Sequence, residues 1–236
     1  MRKLALFSWL LIPLLAGAYH YGPGQDLLLR DDAGQALAAA DVHAAAGRWD
    51  KAISSYELAL NKLPKSRLAE IRQVRVERAK AMMLDGKLPE ASADLTALVD
   101  ELQADANAEP KTLADARAAL AGSRYYLTWL MKLEGLGRDE WEPEIEGARQ
   151  TYRLLAEQAD AAGDAETAAK WREDVESAVR LALMEPGELQ GQPLPKQCQG
   201  CKSGQCKTPG RKPSNAKERK DARGASSGPP PDGSGS

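Results

Sequence analysis

All three cysteines of this 236-residue chain fall close together, as Cys198-x2-Cys201-x4-Cys206. Thiolates two residues apart can share one metal ion, and a compact zinc site spaced C-x2-C-x4-H-x4-C is the nearest comparison. Cys206 stands where that site has its imidazole, which zinc tolerates, but Arg211 stands at the fourth position and cannot ligate. The only histidines, His20 and His43, are remote in sequence. Structural zinc sites are closed by four ligands, so a complete site in one chain is not expected, and no cofactor is expected. In an oxidising compartment Cys198 pairs with Cys201 or with Cys206 and leaves one thiol over, able to join two chains; the alternative is three solvated thiols. A redox C-x-x-C needs a strand-helix unit beside it, and none precedes Cys198. Covalent haem attachment needs His after Cys201, where Lys202 stands.

Carboxylates are the other plentiful chemistry, above all Asp139, Glu140, Glu142, Glu144 and Glu146. Their place at the start of a helical segment suits the positive end of the helix dipole. There is no phosphate-binding glycine loop, no H-E-x-x-H and no G-x-S-x-G, and two histidines are too few for the usual acid-base or metal chemistry. The expected class is therefore a non-enzyme.

The elements that carry these residues read as helix. With both ends set aside about 160 residues remain, enough for one domain. They are rich in Ala, Leu, Glu, Arg and Lys, hold no alternating Val/Ile/Thr run and keep Gly mainly at turns. The only Phe is Phe7, so packing rests on Leu and Ala, with Trp49, Trp129, Trp141 and Trp171 as the few large pieces.

Residues 33 to 64 place Ala40 on a first helix, Gly47 at a turn, Ala52, Tyr56 and Ala59 along a second helix, and Pro64 at its close. This pattern resembles the tetratricopeptide repeat, a helix-turn-helix unit of roughly 34 residues; Ala36 and His43 stand where that family usually has Trp and Tyr. A second copy aligns Gly86 with Gly47, an offset of 39 residues, with Ala79 on the small position, Met82 on the aromatic one, and Ala91, Leu95 and Leu98 on the second-helix ridge. A third is suggested by Ala148, Tyr152 and Leu155, after a turn enlarged from Gly135 to Pro143. The fold class expected is all-α, antiparallel hairpins stacked as a short solenoid of about seven helices, the second unit's first helix beginning near Ser66.

The resemblance implies a concave face lined by the first helix of each unit. By position these residues are Leu37, Asp41 and Ala44, then Val76, Lys80 and Met83, then Tyr125, Trp129 and Lys132. The last three follow i, i+4, i+7 spacing and share a helical face: an aromatic-cationic anchor for a peptide, or core packed against the next helix. The family's clamp for a C-terminal carboxylate does not carry over, because Leu37 and Asp41 hold its first positions and Asp41 repels an anion.

The chain opens with Arg2 and Lys3, an apolar run from Leu4 to Leu15, and Ala16-Gly17-Ala18. This is the pattern of a secretory signal, residues 1–18, with an uncleaved membrane anchor as the alternative. A linker is expected over 19–32, the helical domain over 33–185, and over 186–236 a disordered basic tail, which holds few large apolar residues to offset its ordering entropy. From Lys196 to Arg223 nine cations face only Glu218 and Asp221. The chain as a whole carries a net charge of −2. The expectation is an exported, periplasmic or envelope scaffold that binds another protein or peptide and no specific nucleic acid. The alternative puts the activity in the tail, as a thiol, metal or acidic-polymer binder on a helical spacer.

Overall fold

The computed structural model describes residues 12–13 and 23–190, with side chains from Arg30 onward in the helical body. The body consists of α1 (Pro23–Ala45), α2 (Trp49–Lys62), α3 (Leu68–Leu84), α4 (Leu88–Ala104), α5 (Pro110–Leu133), α6 (Arg138–Ala161), α7 (Ala165–Leu183) and the short α8 (Pro186–Gln190), with no strand among the described residues. The fold is all-α, a stack of antiparallel hairpins. Each helix packs on the next in sequence from α1 to α7, α3 also meets α5, and α8 returns to α5.

Glycine sets four of the reversals. Gly47, Gly86, Gly135 and Gly163 have φ between 67 and 83°, the left-handed region where a Cβ is penalised. Each ends its helix in the same double bond. After Gly47, for example, the Arg48 N–H reaches the His43 carbonyl at 2.9 Å, and the Gly47 N–H reaches Ala44 at 2.9 Å. Such caps satisfy carbonyls that the helix end leaves open.

After three of these glycines the fifth residue is a fully buried alanine: Ala52, Ala91 and Ala168. A methyl group at that point lets the two helices of the hairpin approach closely. Gly135 departs from this rule, since its fifth residue is the exposed Glu140.

Three of the four cores follow the stack from α1 to α7. Ala40, Ala52, Tyr56 and Ala59 meet Val74 and Ala81 between α1 and α3. Val76, Ala79, Leu95, Leu98 and Leu120 fill the space from α3 to α5. Between α5 and α7, Ala121 and Ala148 flank Tyr152 and Trp171, whose rings stack at 5.9 Å. Arginines at every third position of α3 join it to α4: Arg72 bonds Glu101 and Asp105 at 2.8 and 2.6 Å, Arg75 bonds Glu101 at 2.5 Å, and Arg78 pairs with Asp94.

Several boundaries differ from the sequence expectation. The expected linker is helical from Pro23, and α3, expected to begin near Ser66, begins two residues on at Leu68. The enlarged turn from Gly135 to Pro143 is a tight one, because α6 starts at Arg138 and includes Pro143. Pro143 sits in the second turn, where its missing N–H costs a single bond to Asp139. Asp139 and Glu140 favour the dipole of this early start, and Glu140 accepts the Gly137 N–H at 2.9 Å. At the other end, Pro186 opens α8 rather than the tail, and Leu189 is fully buried. The signal segment 1–18, apart from Ile12 and Pro13, and the cysteine segment from Gly191 lie outside the described residues.

Candidate functional site: an open cleft between the last two long helices

The residues aligned with the repeat divide between core and turns. Ala40, Ala52, Tyr56, Ala59, Ala79 and Ala91 are buried, Gly47 and Gly86 sit at the turns, and Pro64 is half-buried after α2. Burial, then the nearby Asp41 carboxylate, raises the Tyr56 phenol above its usual range; its hydroxyl lies 3.4 Å from Asp41 Oδ1.

The proposed concave set is not assembled into one open surface. Asp41 is exposed on α1, whereas Met83 is buried in the α3–α5 core. Lys80 is half-buried and bonds Glu77 at 2.9 Å. Asp115 of α5 lies near it: burial raises this carboxyl, while Lys80 and then Lys111 act against the shift.

The third trio faces inward. Trp129 is 5% exposed and packs with Ile145, Ala178, Leu181 and Leu189. Tyr125 stands beside it, ring centroids 6.4 Å apart, and burial raises its phenol. Lys132 is 4% exposed, and its ammonium donates to the carbonyls of Leu181, Ala182 and Met184 at 2.8, 3.1 and 2.7 Å. Thus Lys132 caps the C-terminus of α7, where a cation complements the helix dipole. Burial lowers its pKa, Arg138 adds to that, and Glu185 acts the other way. The ammonium also lies 4.3 Å from the Trp141 ring centroid, within cation–π range. The face read as a peptide anchor is therefore covered by α7 and α8, and Trp129 and Lys132 hold those helices in place.

What stays open is the other side of the same seam. Between the first half of α6 and the last turns of α7 lies a cleft of about 380 Å³. Trp141, Ile145, Ala178, Val179, Ala182 and Leu183 form its apolar walls. Val179 is 38% exposed and Leu183 77%, large values for side chains with no polar atom. Arg138, Glu142, Glu146, Arg149 and Glu185 make the rim. Glu146 accepts both arms of Arg149 at 2.8 and 2.7 Å, and that guanidinium, with Gln150, lowers its carboxyl to about 2. Arg138 bonds Glu142 at 2.5 Å.

Sequence reading missed this cleft, although one signal was present. Gly163 and Ala168 repeat the spacing of Gly47 and Ala52, marking α6 and α7 as a hairpin, and Val179 and Leu183 then form an i, i+4 apolar pair at its open end. A smaller hollow of about 220 Å³ beside Leu68, Leu102 and Thr112 is bordered by Arg72, already engaged by Glu101 and Asp105. Among the described residues no three His, Cys, Asp or Glu side chains gather as a metal site. No protein-family model, curated protein or solved structure matches the chain.

Proposed function

We propose that this chain is a non-catalytic scaffold or adaptor of the cell envelope, built of hairpins of tetratricopeptide type, which docks an amphipathic helix of another protein. The observation that carries this reading is the α6–α7 cleft, whose apolar walls leave Val179 and Leu183 in solvent. Its volume lies within the range of ligand-binding pockets. An incoming helix that places apolar residues at i and i+4 would cover both side chains, with polar flanks meeting the charged rim. The export half of the proposal rests on the signal-like opening of the sequence. No described helix is long and apolar enough to cross a membrane.

A photo-crosslinking residue at Leu183, in intact cells, tests the docking. The expected result is a discrete adduct absent when the probe stands at Leu58, an exposed position on α2, and lost when Val179 is replaced by Asp. Equal labelling from both positions would overturn the reading. Salt separates it from binding of acidic polymer through the tail, which weakens steeply as salt rises.

A further inference from the structure

The first turns of α6 form one wall of the open cleft, and little burial holds them there. Where α2, α4 and α7 bury Ala52, Leu88 and Ala168 within their first turn, α6 buries nothing before Ile145. The exposed Glu140 stands where the other hairpins have the alanine of close approach. Ahead of Ile145, the half-buried Trp141 ring lies 4.3 Å from the Lys132 ammonium, and Glu144 meets Arg124 at 3.5 Å.

The helix is also weakened where this stretch joins the rest of α6. Pro143 supplies no N–H to Asp139, and Gly147 brings the low helix propensity of a residue without a side chain. The Thr151 hydroxyl donates to the Gly147 carbonyl at 2.8 Å, a competing bond of the kind that bends helices. A Cβ at Gly147 would stand 2.5 Å from Arg124 Nη1, so the guanidinium occupies the space in which a side chain would brace the joint. Glu146 spans the joint to Arg149, yet both side chains are more than one-third exposed, and such pairs hold little. Within the stretch, by contrast, Arg138 bonds Glu142 at 2.5 Å and the Gly137 N–H meets Glu140, so it can move as one helical piece.

The cleft needs such a movement to take a helix. A helix with its side chains is about 10–12 Å across, whereas about 380 Å³ admits side chains alone. Trp141 and Glu142 line the cleft from α6, Val179 and Leu183 from α7, so an outward swing of the first pair widens it directly. Ile145, two residues from Gly147, moves least.

We propose that residues 138–146 are a jaw, hinged at Gly147 and caught shut by Trp141 over Lys132, whose swing sets the width of the cleft. The swing belongs to this chain alone; its use in admitting a partner helix rests on the docking reading above. Lys132 holds both the α7 carbonyls and the Trp141 ring, so one ammonium fixes the closed position of both walls.

Distances between nitroxide labels test it in the full chain carrying Cys198→Ser, Cys201→Ser and Cys206→Ser. One pair joins the jaw to α7, Asp139→Cys with Glu176→Cys. A reference pair joins α6 beyond the hinge to the same point, Arg153→Cys with Glu176→Cys, and all three positions are exposed. Pulsed electron resonance should give a single distance for the reference pair and two for the jaw pair. Pro143→Ala with Gly147→Ala restores the missing donor and a good helix former, and should leave only the shorter distance; if that double variant misfolds, Pro143→Ala alone should deplete the longer one. Trp141→Leu should raise the longer population about threefold, the effect of losing a weak cation–π contact. One distance for the jaw pair in the otherwise unchanged chain, or two that either change leaves unaltered, overturns the jaw. If Leu183 crosslinks no partner while the jaw pair responds as stated, the docking reading fails and the jaw stands; a discrete adduct beside a single jaw distance overturns the jaw and leaves the docking.

Discussion

The two halves of the stack use one hairpin rule for different ends. In α1–α4, Gly47 and Gly86 close hairpins whose buried Ala52 and Ala91 repeat at one spacing, and an arginine ladder from α3 to α4 ties two polar faces together. In α5–α8 the rule appears again at Gly163 and Ala168, but α5 and α6 are longer, at 24 residues each, and α8 closes only one side of the seam. The first half buries Tyr56 as its one large ring, whereas the second buries Trp129, Tyr152 and Trp171 and spends a lysine on a helix end; both leave large apolar side chains exposed, Val42, Leu58 and Leu68 in the first and Val179 and Leu183 in the second. What the second half adds is the larger cleft, which Val179 and Leu183 line.

The largest effect that would break this comparison is Trp129→Ala. If α5, α7 and α8 are held by this indole, removing it costs roughly 3 to 5 kcal/mol of folding free energy, read from denaturant unfolding. A cost below about 1 kcal/mol would mean that the seam is not core. Next is Lys132→Met, which keeps most of the stem and removes the donor to three carbonyls of the α7 terminus; it should cost about 1 to 3 kcal/mol, the range for buried acceptors left unpaired. Amide exchange should then quicken first in Leu181–Met184, whereas a uniform increase over all helices would argue against a local cap.

Matched substitutions sharpen the comparison. Ala52→Leu and Ala168→Leu place the same bulk at the fifth residue after a left-handed glycine, one in each half. Overpacking should cost roughly 1 to 3 kcal/mol at both. Similar losses would show that α6–α7 is a hairpin of the same kind as α1–α2; a neutral Ala168→Leu would separate them.

How much was legible in the sequence follows the same division. The first half depends on contacts between neighbouring helices, so local spacing reveals it: glycine at the turn, alanine five residues on, Tyr56 between. The second half depends on contacts far apart in the chain. Lys132 meets carbonyls 49 to 52 residues later, and no periodicity on α5 records that partner. Tyr125, Trp129 and Lys132 do share one helical face, as their spacing implied, but spacing cannot say whether that face is open or roofed by α7 and α8. Leu189 was hidden for a related reason: Pro186 reads equally as the end of one helix and the first residue of another.

The smallest effect concerns acid, and it compares one ion pair from each half. In α3–α4, Arg72 holds the Glu101 carboxyl below its usual range, with Arg75 adding to the effect; on the cleft rim, Arg149 lowers Glu146 to about 2. A depressed folded pKa means that the unfolded chain takes up protons first as pH falls. Each pair's contribution is thus complete above the unfolded carboxyl value of about 4.3 and is lost as pH drops through the folded value, for Glu146 between about 4.3 and 2. Both carboxylates are more than one-third exposed, so solvent screening keeps the rim pair to a few tenths of a kcal/mol. Arg72, by contrast, is itself buried and would lose a partner in a less screened position. Glu101→Gln should therefore lower the melting temperature at pH 7 more than Glu146→Gln does, and both differences from wild type should shrink as the pH is brought to 2.5. If Glu146→Gln proved the more damaging of the two, the rim of the cleft would be a structural strut rather than an open edge.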